Sequence, residues 1–150
     1  MDVIARLVSD LVNPILVLLA IVAPWVPRKR DEGPIQFWAG CFAAIAIASS
    51  IAENGKSHSV WPGHPTFPSG HESFGAAAAT YLVCYDKDWV WFVVPILVLF
   101  GWALVTAGYH DPEDIYGAIV VGPASALIAR YAVSSIWCKF RSRRSQNQNL

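Results

Sequence analysis

Charge is scarce in this chain. Asp, Glu, Lys and Arg make up 15% of its 150 residues, while 55% are hydrophobic; a soluble domain usually carries about 25% charged residues. Eleven basic and eleven acidic side chains cancel, so no net field draws nucleic acid, and that partner class is set aside. Cysteine is equally sparse. Cys41, Cys84 and Cys138 are odd in number and each lies in an apolar run, so no disulfide framework or metal spacing is visible and they read as small buried hydrophobes. The long apolar runs also lack the polar stripe of a soluble amphipathic helix, which makes lipid the natural solvent. There is no internal repeat and no second domain. Residues 1–138 read as one membrane-embedded domain, and 139–150 as a polar, basic cytoplasmic tail that frays at its end.

Five hydrophobic segments remain. The first runs to about Val26, its opening turns "DVIARLVSD" amphipathic enough to lie at an interface. It imitates a signal peptide, but Ile21 and Pro24 make a poor cleavage context, so it reads as retained. The others cover about Ile35 to Ala52, His71 to Tyr85, Trp89 to Tyr109 and Ile115 to Trp137. The expectation is an all-α integral membrane helical bundle of about five transmembrane helices. "PRKRDE", Lys87 and "KFRSRR" fall on one side of such a serpentine, which the bias of basic loops makes cytoplasmic. All four histidines, His58, His64, His71 and His110, then lie in or beside the two outer connections.

The stretch "HPTFPSGHESFG" opens the third segment. Ser69 and Glu72 form a capping-box pattern that starts a helix at Gly70–His71. The first-turn N–H groups and the positive helix end favour an anion, and Gly70 lets backbone approach it closely. The plainer reading is that Ser69 and Glu72 only cap the helix. In "GYHDPEDIYG", His110 and Asp114 stand four apart, so the carboxylate can take a ring N–H and fix the tautomer. The same residues also read as an ordinary helix start, with Asp111 as cap and Pro112 at the first position. Lys56 adds a cation on the same side. A phosphate monoester suits this group: His110 to attack, His71 to protonate the departing oxygen, Lys56 and backbone N–H groups to hold phosphoryl oxygens.

These residues resemble the membrane-bound type 2 phosphatidic acid phosphatases, relatives of the vanadium haloperoxidases. Pro68-Ser69-Gly70-His71 matches the middle motif, His110 to Asp114 the end of the third, and Lys56 to His64-Pro65 the first. The resemblance implies a metal-independent hydrolase of lipid phosphates, without a cofactor. It implies a phosphohistidine on His110 oriented by Asp114, with His71 as acid and then base. Lys56, Ser69, Gly70 and His64 are the phosphate-binding candidates, and no metal ligands are assigned. Such proteins usually have six spanning helices, so a first helix is missing here and the N-terminus lies outside. The compact size and the family point to a bacterial inner membrane, with the site facing the periplasm or exterior.

Two departures stand out. His64 replaces the arginine of the first motif, and Ala103-Leu104 replace the Ser-Arg that usually opens the third. Arg130 cannot substitute, since it lies 16 residues past Asp114, about 24 Å down a helix. Each lost charge-assisted contact forfeits roughly 1.5–3 kcal/mol. Protonated His64, with His58, is the expected replacement, which favours activity at mildly acidic pH, since free imidazole titrates near ~6.5. The third segment is also short, roughly 22 Å against a core of about 30 Å, so its mouth lies below the outer surface. Trp61, Pro62 and Phe67 then line that entrance or act as interfacial anchors.

The substrate expected is a lipid phosphate or an isoprenoid diphosphate. A phosphotransferase using the same histidine and a degenerate lipid-phosphate binder are the competing readings. A metal site of His58, His64 and His71 ranks last, because spacings of six and seven fit no usual zinc pattern.

Overall fold

The structure is a computed structural model that describes residues 2–26 and 32–147. Most of the basic stretch after the first segment, residues 27–31, lies outside the described residues. Five α-helices follow one another: α1 Asp2–Val22, α2 Pro34–Ser57, α3 Gly70–Tyr85, α4 Val90–Thr106 and α5 Pro112–Asn147. Short 3-10 turns at Ala23–Trp25 and Lys87–Trp89 close α1 and open α4. No strand occurs among the described residues.

The fold is the expected all-α integral membrane bundle. Four helices are long and apolar enough to cross a bilayer. The exception is α3, which at 16 residues falls short of the roughly 20 a span needs. Its small residues place it at the centre. Ala76, Ala77, Ala78 and Ala79 are buried, and a Cβ on Gly122 of α5 would stand 2.8 Å from the Ala77 nitrogen. Backbones in such close approach pack by van der Waals contact, the usual glue where lipid removes the hydrophobic drive between helices. On the other flank, Gly75 admits Leu16 of α1 and Phe100 of α4. Large apolar side chains of α1, α4 and α5, such as Leu18, Val98 and Tyr131, instead face outward, as lipid contact requires.

Boundaries shift where local chemistry overrides hydropathy. Gly33 caps α2 and Pro34 takes its first turn, a position where the missing N–H costs nothing. Pro112 opens α5 in the same way. The polar tail from residue 139, expected to fray at its end, continues as helix through Asn147. It contains no Gly or Pro to stop it, and basic side chains suit a helix C-terminus.

The helices alternate in direction. One end gathers the C-termini of α2 and α4 with the N-termini of α3 and α5. At the other end Glu32 accepts hydrogen bonds from Tyr81 at 3.1 Å and Arg130 at 3.1 Å. Arg130 is thus held away from the histidines, as its place in the sequence requires.

Candidate active site

The histidine end is built by three local devices. The first ends α4. Gly108 takes a positive φ of 75°, its N–H bonds to Val105 O at 3.0 Å and the next, from Tyr109, to Leu104 O at 3.0 Å. This left-handed glycine closure turns the chain sharply and delivers His110 just before α5 begins.

The second device starts α3. Ser69 Oγ accepts the Glu72 N–H at 3.2 Å, so the helix begins at Gly70 as its sequence indicates. The reciprocal half of the capping box is not made. The Ser69 N–H donates instead to the Asp114 carbonyl at 3.0 Å. That bond joins the Pro-Ser-Gly-His loop directly to α5. The loop is also clamped on both sides: Gly55 of α2 lies against Pro68, and Gly117 of α5 against Phe67 and Pro68. A side chain at either glycine would push the loop away.

The third device orients His110. Its Nδ1 lies 3.0 Å from Asp114 Oδ2. The carboxylate accepts, so Nδ1 carries the proton and Nε2 keeps its lone pair. Asp114 is itself fixed, because the same oxygen accepts from the Thr66 hydroxyl and from the Asp111 N–H at 3.3 Å. The pair is almost sealed, with side-chain exposures of 6% for His110 and 0% for Asp114. The ring of His71, at the exposed mouth of α3, stands 6.4 Å from that of His110 between centroids.

Lys56 reaches the same mouth. Its Nζ is 3.2 Å from where a Cβ on Gly70 would sit, so a side chain there would press on the ammonium and shift it by a few tenths of an ångström. The cation therefore joins the positive end of α3. These surroundings act on His71: desolvation, then His110 and Lys56, lower its pKa from the ordinary value, with Asp10 opposing. A free imidazole base is favoured there until an anion binds.

The remaining candidates divide. Ser69 is fully buried, so its hydroxyl serves the cap and its residue positions the loop. Gly70 provides the open approach. His64 lies on the rim, its Nδ1 3.9 Å from Asp111 Oδ2 and its ring against Trp61. Trp61 in turn packs at a tilt against Phe67. His58 is turned elsewhere: its Nδ1 lies 2.9 Å from the Asn54 carbonyl of its own helix end, and it lines a groove of about 670 Å³ between α2 and α5. Ala103 and Leu104 are core residues, so the positions of the absent Ser-Arg pair are filled by apolar packing.

Three participants were not singled out from the sequence for these contacts. Thr66 holds Asp114. Asn13 of α1 donates its amide to the His71 carbonyl at 3.2 Å. Glu72 turns its carboxyl inward, where it is buried and its Oε2 has no hydrogen-bond partner among the described residues. Only Thr66 had a local signal, its place within the loop that precedes Ser69.

A search against known protein families matches the PAP2 superfamily over residues 46–138, more than half of the chain and including every motif residue above. Neither a comparison with characterised proteins nor one with solved structures gives a match. The chain belongs to the PAP2 superfamily, a group of phosphatases that act on phosphate esters.

Proposed function

We propose that the protein is a metal-independent lipid phosphate or lipid diphosphate phosphatase that works through a phosphohistidine on His110. The observation that carries the reading is the sealed His110–Asp114 pair facing His71 across the open mouth of α3. With Nδ1 bonded to Asp114, Nε2 of His110 attacks phosphorus while the ester P–O bond breaks. His71 gives its proton to the departing lipid oxygen. Water then attacks phosphorus, His71 takes the water's proton, and the N–P bond breaks to free phosphate. Lys56 and the first N–H groups of α3 hold the charged oxygens. An anion beside His71 offsets the lowering of its pKa, which supplies the proton the first step needs.

The site opens on the extracytoplasmic face of a bacterial inner membrane, because the basic segments flank the other end. The short α3 sets the mouth below the surface, within reach of a headgroup whose chains stay in the bilayer. His64 supplies part of the charge that the family arginine provides, held near the Asp111 carboxylate. A non-catalytic binder is favoured by one observation, the burial of Leu104 where an arginine would stand.

The discriminating experiment is phosphate release from a panel of lipid phosphates and diphosphates by detergent-solubilised protein, with His110→Ala alongside. Release that vanishes in the variant supports the phosphatase. Folded protein that binds a lipid phosphate but releases nothing, with or without added alcohol acceptors, supports the binder. His64→Ala should lower kcat/KM; an unchanged kcat/KM would eliminate that role.

A further inference from the structure

Glu72 is left without the task its position implies. Its capping partner, the Ser69 N–H, is taken by Asp114. The side chain is 1% exposed, and its Oε2 has no hydrogen-bond partner among the described residues. It faces a crevice of about 510 Å³ between α4 and α5, within the ~300–1,000 Å³ range of small-molecule sites. Its walls are otherwise apolar, among them Val98, Trp102, Ile115, Tyr116 and Ile119. Gly101 keeps the floor low, with Glu72 Oε2 only 3.9 Å from where its Cβ would be.

The crevice lies beside the turn that carries His110 and leaves toward lipid. Val105 and Pro112, which bracket the turn carrying His110, line its upper end. Glu72 follows His71 directly in the chain. At the other edge Val98, Trp102, Tyr116 and Ile119 are exposed, so the mouth opens sideways between two spanning helices. A lone carboxyl in such a place is expensive unless it is neutral and hydrogen-bonded. In its protonated form it offers one strong O–H donor.

We propose that this crevice binds an acyl chain of the lipid substrate, with the Glu72 carboxyl donating a hydrogen bond to the acyl carbonyl nearest the phosphate. The inference rests on the lipid-phosphate reading for the identity of the headgroup. It makes Glu72 a specificity residue that separates acylated lipid phosphates from chains with no carbonyl, such as dialkyl ethers and isoprenoids. Leaving a buried donor unmatched is what discriminates.

The test is binding in the His110→Ala background, where turnover does not intervene. A diacyl lipid phosphate and its dialkyl ether counterpart, each with brominated chains, are titrated in detergent micelles, and quenching of Trp102 is read against Trp102→Phe. The diacyl lipid should bind on the order of tenfold tighter. Glu72→Leu should erase that preference, and Glu72→Gln, whose amide still donates, should keep most of it. Equal binding of the two lipids, no quenching of Trp102 by either, or an undiminished preference in Glu72→Leu would each overturn the proposal. Glu72→Gln keeps the test valid should the leucine variant fail to fold. Discrimination at Trp102 together with no phosphate release by the wild-type protein would sink the phosphatase reading and leave the crevice site standing.

Discussion

The two ends of α3 carry polar clusters of opposite character. At the Tyr81 end, Glu32 receives both Tyr81 and Arg130, and the guanidinium also lies 5.9 Å from the Tyr81 ring centre. Charge is matched there. At the Gly70 end, Lys56, His71 and the first N–H groups of α3 converge with only the partial opposition of the Asp10 carboxylate on His71, while His110 is oriented and sealed. The difference separates a cluster that holds helices together from one that, on the proposed reading, receives a ligand. A fully satisfied network stabilises, whereas convergent groups left open can bind charge that arrives later.

That contrast can be broken at either end. The largest effect is expected from Asp114→Asn, which removes the negative charge that orders His110 and allows an amide NH2 to face the ring instead. Turnover should fall by roughly 10²–10⁴-fold, the range of positioned acid–base groups, while folding, read by thermal unfolding, should change far less. Lys56→Ala comes next. Loss of one charge-assisted contact should lower kcat/KM by about 10- to 150-fold, and Lys56→Arg should recover part of it. At the opposite end, Arg130→Ala should lower thermal stability by about 1–3 kcal/mol, because Glu32 loses a partner, and leave kcat unchanged. A large kcat loss in Arg130→Ala would erase the distinction between the two ends.

Much of the fold was legible in the sequence because hydropathy reports solvent directly. Five apolar runs became five helices, and the short third run became the enclosed α3. The helix starts at Ser69 and Pro112 were also legible, since capping is local chemistry. What was hidden depends on contacts far apart in sequence. Nothing in "PSGHES" shows that the Ser69 N–H bonds to residue 114, so the released Glu72 carboxyl read as a cap. Nothing in "LVNPIL" shows that Asn13 reaches His71, because a helix pattern gives a face but not its partner. The sequence put all four histidines on one side and gave His58 a share of the charge beside His64. The structure separates them, with His58 bonded back to its own helix end and His110 held by Asp114.

The central claim is that His110 accepts the phosphoryl group. The direct measurement is rapid alkaline quenching of the solubilised protein during turnover of a lipid phosphate, followed by peptide mass analysis. The account predicts one acid-labile phosphoryl group on the peptide containing His110, present in the wild type and absent in His110→Ala. Sustained phosphate release with no label on that peptide, or with the label on another residue, would contradict it.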